Sequence, residues 1–281
     1  MTTGYDEATQ IARDYYNSDD ADRFYERVWG GEDIHIGIYE AEDERIREAS
    51  ERTVEHMLRR LVSIHKDAHV LDIGSGYGGA ARKIAQRFGC MVTCINLSEA
   101  ENDRNRKLSR NAGLGDQIEI IDGNFERMDI PDASIDVVWC QDAILHSGDR
   151  AQVLSEVDRV LKPGGRFIFT DPMQSDSCPD GVLDPILQRI HLPDLGSPGF
   201  YKDQAESLGW ENLGYEDMTH QLVNHYGRVR EMTVEMHDKL VPDISEAYLE
   251  RMKDGLSRWV EGGEAGWLAW GIFLFQKPVQ A

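Results

Sequence analysis

Val70-Leu71-Asp72-Ile73-Gly74-Ser75-Gly76-Tyr77-Gly78-Gly79 is a buried-strand run carrying one acidic residue, followed by a turn nearly free of side chains. Val70, Leu71 and Ile73 read as a central strand, and Ala80 to Phe88 continues as a helix with apolar residues at helical spacing. A stripped turn between a strand and a helix lets backbone approach a polar ligand closely. A cofactor is therefore expected where the strand stops and the helix starts.

Outward from this segment, strands and helices alternate. Strands are expected at His69–Ile73, Met91–Ile95, Gln117–Ile121, Ile135–Cys140 and Arg166–Thr170, with helices at Ala80–Phe88, Glu99–Asn111 and Arg150–Leu161. That order predicts a parallel sheet wrapped by helices. Upstream, Asp6–Trp29 and Ala41–Ile64 read as helices, the second with Ile46, Ala49, Val54, Met57, Leu58 and Leu61 at helical spacing. Pro172–Pro198, rich in Pro, Asp, Ser and Gly, interrupts the alternation. Phe200–Leu208 is then a helix, and Trp210–Asp217 and Trp267–Phe275 are two further strands with an amphipathic insertion, Leu222–Val260, between them.

Composition bounds the function. The chain has 281 residues, 41% hydrophobic, enough for one large core with a helical cap. No uninterrupted apolar stretch could span a bilayer and Met1–Gln10 is not a basic, apolar leader, so a cytoplasmic protein with no membrane partner is expected. Cys90, Cys94, Cys140 and Cys178 contain no CxxC pair, and Cys90 and Cys94 fall on one face of a strand; buried thiols are expected rather than disulfides or a metal site. A net charge of −21 argues against nucleic acid, whose phosphates require clustered Lys and Arg. With 8 Lys against 22 Arg and 51 carboxylates, the surface suits concentrated salt, where the Debye length falls to about 3 Å at 1 M. An ordinary acidic cytosolic enzyme is the alternative.

The glycines fit Gly-x-Gly-x-x-Gly and by themselves leave a nicotinamide dinucleotide and S-adenosylmethionine both open. Asp72, two residues before Gly74, tilts the choice together with Asn96, Asp122 and Leu161-Lys162-Pro163-Gly164-Gly165. The whole pattern resembles the class I S-adenosylmethionine-dependent methyltransferases. The resemblance implies an α/β fold: a Rossmann-like, seven-stranded, mostly parallel sheet with N-terminal helices and a helical insertion before the last strand. Residues 1–66 would be a helical lid and substrate segment. Residues 67–281 would be the methyltransferase domain, with substrate-binding insertions at about 172–200 and 219–262.

S-adenosyl-L-methionine is the implied cofactor, with Asp72, Gly74 and Gly76 at its first contact. Asn96 and Leu97 end the second strand, where ribose hydroxyls would lie and an amide replaces the usual acid. Asn96-Leu97-Ser98 equally suits a capping turn for the Glu99 helix, with Ser98 as cap. Asp122, Gly123, Asn124 and Phe125 follow the third strand, where an adenine would meet a carboxylate, a backbone N–H and an apolar cover; a capped turn fits the same letters. Gln141 ends the fourth strand and opens on the same crevice.

Within that group, Asp142-Ala143-Ile144-Leu145-His146, Tyr16 ahead of Phe24-Tyr25, Thr170-Asp171 and Gln188-Arg189 are similar to small-molecule amine methyltransferases. These include the phosphoethanolamine methyltransferases and the sarcosine/dimethylglycine methyltransferases that make glycine betaine. The resemblance implies that Tyr16 and His146 are catalytic, forming a latch over the amine. It also implies that Arg189 holds the substrate anion, with Tyr25, Tyr39, His191 and Tyr201 around it. The phosphoethanolamine enzymes' tyrosines after the fifth strand and near that arginine are replaced by Pro172 and His191, and their late lysine has no clear counterpart. One retained arginine without the other phosphate ligands favours a carboxylate, which a guanidinium fork binds bidentately.

The expected reaction is methyl transfer to N,N-dimethylglycine, and to sarcosine, by in-line displacement without a metal. His146, with an unperturbed pKa of about 6.5, or Tyr16 bonded to it, is the expected proton acceptor or relay. Aromatic faces from Tyr16, Tyr25, Trp29, Tyr39 or Tyr77 would favour the cations. The partner is a small amino acid, and a monomer or homodimer is expected. Methylation of phosphoethanolamine or glycine is the nearest rival; a nicotinamide-dependent oxidoreductase and a non-catalytic cofactor-binding protein are the others.

Overall fold

The structure, a computed structural model, describes residues 7–41, 43–61, 64–190 and 192–279. Five strands run parallel: β1 (His69–Ile73), β2 (Met91–Asn96), β3 (Ile118–Asp122), β4 (Ile135–Gln141) and β5 (Leu161–Thr170). Two more, β6 (Glu211–Asp217) and β7 (Gly271–Gln276), complete one sheet in the order β3-β2-β1-β4-β5-β7-β6, with β7 antiparallel to both neighbours. This is the seven-stranded, mostly parallel α/β sheet that the resemblance implies, and its five parallel strands are the sheet that the alternation predicts.

Period-two alternation along the strands divides the core between the two sheet faces. Val70, Val92, Trp139, Ile168 and Ile272 pack with α3 (Ile46–Arg60) and α4 (Gly79–Phe88). Leu71, Val138, Phe167, Phe169 and Phe273 pack with α6 (Arg150–Val160) and α8 (Pro198–Ser207). The fifth helix, α5 (Glu99–Asn111), joins β2 to β3. Chain order reverses between β1 and β4, so the crevice at their carboxyl ends is the natural ligand site.

A third apolar cluster lies above that edge. It joins Phe24, Val28 and Trp29 to Val229, Tyr248, Leu249, Met252 and Leu256 of the insertion. The insertion is two helices, α9 (Thr219–Glu235) and α10 (Glu246–Glu264), with a short helical turn at His237–Leu240. The single helix expected over Asp6–Trp29 is instead α1 (Glu7–Tyr16), α2 (Asp19–Phe24) and a π-helical turn at Tyr25–Trp29. The break is local chemistry: Ser18 Oγ accepts the Ala21 N–H at 3.3 Å and starts a new helix. Similarly, α3 begins at Ile46 rather than Ala41, and Pro172–Pro198 contains α7 (Asp184–Ile190). The last expected strand is interrupted: Leu268–Ala269 pairs with Met173–Gln174 before β7 begins.

Cys90, Cys94 and Cys140 are free and buried, and Cys178 is free and half-buried. Among the described residues, no helix is long and apolar enough to cross a membrane.

Candidate active site

The glycine turn leaves β1 with Gly74 at φ +72°, a left-handed conformation that costs glycine little. A Cβ there would stand 2.3 Å from the Cβ of Ala143, so its absence lets the loops after β1 and β4 touch. Asp72, 3% exposed, is pushed up to about 8 by burial, with the Asp33 carboxylate adding and Arg82 opposing. A small cavity beside it is lined by Asp33, His35 and Gln141 together with Gly74 and Gly76. Gln141 Oε1 accepts from Trp139 Nε1 at 2.9 Å, while its Nε2 is buried with no hydrogen-bond partner among the described residues, as are Asp33 Oδ1 and His35 Nε2, which face each other at 3.9 Å. A buried acid that ionises when a cation arrives, with unspent donors and acceptors beside it, suits the ammonium and carboxylate of an amino-acid tail.

The next two strand ends hold their own loops. Asn96 Nδ2 donates to Glu101 Oε2 at 2.8 Å, and Ser98 Oγ accepts the Glu101 N–H at 3.2 Å, so the capping turn does form. Leu97, between them, is half-buried. Asp122 accepts from Asn102 Nδ2 at 2.8 Å and from Arg106 Nη2 at 2.9 Å. The Gly123 N–H donates to the Asn96 carbonyl, Asn124 Oδ1 accepts the Glu126 N–H at 2.8 Å, and Phe125 is buried in the core beneath. These groups gather on adjacent strands, since Asn96 and Asp122 are register partners.

Above the sheet edge, a cavity of about 1020 Å³ is walled by Tyr15, Tyr16, Tyr25, Trp29, Tyr226, Tyr248 and Trp259. Tyr16 Oη lies 3.0 Å from His146 Nε2, bridging α1 and the turn after β4. Burial raises the Tyr16 phenol well above its usual range, so it stays neutral. Burial also pushes the His146 imidazole down to about 4, with Arg150 adding, which leaves it neutral and weakly basic. The His146 turn is fixed from below: Asp171 accepts the Leu145 N–H at 2.9 Å and the Tyr201 hydroxyl at 2.6 Å.

Arg189, on α7, projects into the same cavity. Its Nη2 donates to Met252 Sδ at 3.0 Å, and among the described residues it makes no ion pair. Opposite charge is also present: Asp142, at φ +51°, accepts the Ile36 N–H at 2.7 Å and Trp270 Nε1–H at 2.8 Å, and burial raises its pKa. Arg189, Tyr16, Tyr25 and His146 thus meet in one chamber.

Other expected substrate contacts lie elsewhere. Tyr201 is fully buried among Phe169 and Phe273 and acts on the site only through Asp171. The Tyr39 hydroxyl is spent on His225 Nδ1 at 3.0 Å, behind the cavity wall. Tyr77 donates to Asp22 Oδ1 at 2.6 Å and ties α2 to the glycine loop. His191 lies outside the described residues. Among the cavity groups given no role by the sequence expectations are Asp142, Tyr15, Tyr226, Tyr248 and Trp259. Only Asp142 carried a signal, an acid within a run already suspected of facing the crevice.

The family model of the methyltransferase domain matches residues 71–169. The chain is 51% identical over 276 residues to the sarcosine/dimethylglycine N-methyltransferase of Aphanothece halophytica, covering 98% of this chain and 100% of that one. It is 51% identical over 278 residues to the enzyme of the same description from Halorhodospira halochloris, covering 99% and 100%. A solved structure from Galdieria sulphuraria, provisionally described as a sarcosine dimethylglycine methyltransferase, superposes with a TM-score of 0.90 at 41% identity, covering 95% of this chain and 100% of that one.

Proposed function

The chain belongs to the sarcosine/dimethylglycine N-methyltransferases, and on that footing we propose that it methylates the amines of sarcosine and N,N-dimethylglycine, releasing glycine betaine. The cofactor is S-adenosyl-L-methionine, which supplies a methyl group on a sulfonium and departs as a neutral thioether. Asp72 and Gln141 would hold its amino-acid end, and the β2 and β3 ends, with Phe125, its adenosine. The observation that carries the substrate assignment is Arg189: a half-buried guanidinium without an ion pair among the described residues, in a chamber rich in Tyr and Trp, whose other arginine, Arg251, is exposed. A carboxylate is the anion it would bind bidentately.

The segment from α1 through the π-helical turn acts as the lid, whereas α3, within the same N-terminal stretch, packs on the sheet. Tyr16 closes against His146 over the amine, and the two neutral groups orient it through hydrogen bonds. Held at a near-attack distance in a water-poor chamber, the reactants gain most of their acceleration from alignment, worth up to about 7–11 kcal/mol in favourable cases. An imidazole pushed down to about 4 cannot take a proton from an alkylammonium to any useful extent. The amine therefore enters as the free base, its proton lost to solvent before closure. Tyr15, Tyr25, Trp29 and Tyr226 line the chamber, where aromatic faces would favour the quaternary ammonium product.

The acidic, lysine-poor surface fits a cell that accumulates glycine betaine as an osmolyte in high salt. The test is the initial rate of S-adenosylhomocysteine release with glycine, sarcosine, dimethylglycine and phosphoethanolamine supplied separately, in low and molar salt. Turnover on dimethylglycine and sarcosine, with greater stability in molar salt, is expected. Turnover on phosphoethanolamine alone would overturn the carboxylate assignment, and equal stability in both salts would remove the halophilic one.

A further inference from the structure

Gly255 sits buried in the interior of α10, where glycine is among the least favourable residues for a helix. A Cβ built on it would lie 2.2 Å from Arg189 Cζ and 2.3 Å from both Nε and Nη1. Near-equal distances to three guanidinium atoms place that Cβ over the plane of the group. The guanidinium therefore lies flat on the helix backbone at residue 255. Met252, one turn earlier on the same helix, takes an edge of the group, with Nη2 3.0 Å from its Sδ. A side chain at 255 would displace the guanidinium; none can share its space.

We propose that Gly255 is a positioning residue for the methyl acceptor: by having no side chain, it seats Arg189 flat on α10 and sets where the substrate carboxylate is held. The inference rests on Arg189 as the carboxylate ligand proposed above. Position 255 is then a determinant of acceptor affinity that touches neither substrate nor cofactor.

A double-mutant cycle on the full chain, read as separate KM values for dimethylglycine and S-adenosylmethionine, tests this. Gly255→Ala should raise KM for dimethylglycine about 10-fold or more, as loss of a charge-assisted hydrogen bond does, while KM for the cofactor stays within about 2-fold. In an Arg189→Ala background the same change should alter neither value by more than about 2-fold, because the space is then open. If Gly255→Ala lowers the melting temperature, the double variant should recover it for the same reason. Equal effects in both backgrounds, or no effect of Gly255→Ala while Arg189→Ala is impaired, would overturn the seating role alone. An Arg189→Ala variant with unchanged KM for dimethylglycine would overturn the carboxylate assignment beneath it.

Discussion

The floor and the roof of the active site are built by opposite means. The floor is the carboxyl edge of β1 to β4, and at its β2 and β3 ends polar side chains are spent locally: Asn96 on Glu101, Asp122 on Asn102 and Asn124 on the Glu126 N–H. The roof draws on α1, the π-helical turn, the turn after β4, α7, α9 and α10, and its walls set a group of tyrosines and tryptophans among aliphatic and charged side chains. The Tyr15 hydroxyl meets that of Tyr248, 233 residues away, at 2.9 Å. A locally built floor suits any reaction of the cofactor; under the proposed function, a roof gathered from distant segments is what selects the acceptor.

That division has measurable consequences, the largest at the latch. Tyr16→Phe and His146→Ala should each lower kcat/KM for dimethylglycine about 100- to 1000-fold, as expected for groups that align a reacting pair. Because the two share one hydrogen bond, the double variant should be little worse than the worse single. Cofactor affinity measured by calorimetry should barely change; an equal loss there would put the pair on the floor rather than the roof.

Arg189→Ala comes next. Removing a charged hydrogen-bonding group should raise KM for dimethylglycine about 10- to 100-fold and leave the cofactor KM nearly untouched. A parallel rise in both would erase the distinction between the two halves.

On the floor, Asp72→Asn should weaken cofactor binding about 10-fold while making the cofactor-free protein more stable at pH 8. The folded pKa of Asp72, pushed up to about 8, exceeds the unfolded value of about 3.9, so the folded state keeps a proton that the unfolded state releases. The contribution of Asp72 to stability is thus full below about pH 4 and is lost as pH rises toward 8. Melting temperatures across that range should fall less steeply for the Asp72→Asn variant than for the wild type, and identical slopes would contradict the burial cost assigned to Asp72.

The smallest effect concerns pH and catalysis. With His146 neutral above about pH 4, the kcat/KM profile should rise with the free-amine fraction and show no limb near the ordinary histidine value of about 6.5. His146→Ala should lower the profile without changing its shape. A limb near 6.5 that vanishes in this variant would restore His146 as the proton acceptor.

The floor was legible because its signals are local. A strand run, an acid and a side-chain-free turn occupy ten consecutive residues, and the alternation of elements fixes which ends of the strands face the ligand. Even the ambiguity at Asn96 was visible in the letters, and the structure realises the capping turn at Ser98. The roof resisted for physical reasons. Tyr16, His146 and Arg189 were reached through resemblance, whereas Tyr226 and Tyr248 lie on amphipathic helices whose buried faces give no sign of whether they meet a core or a cavity. Tyr201 shows the converse: it shares a helix face with buried Ala205, and that face turned out to be core. Likewise α7, which carries Arg189, is only seven residues long and lies within a stretch whose composition reads as loop.

The central claim, that a roof arginine reads the acceptor's carboxylate, is tested most directly by removing the charge from the substrate. The measurement compares kcat/KM for N,N-dimethylglycine and N,N-dimethylglycinamide in the wild-type and Arg189→Ala enzymes, each at a pH giving the same free-amine fraction. The expected result is a preference for the acid of about 10- to 100-fold in the wild type that collapses in the variant. Equal use of acid and amide by the wild type, or a preference that survives the loss of Arg189, would contradict it.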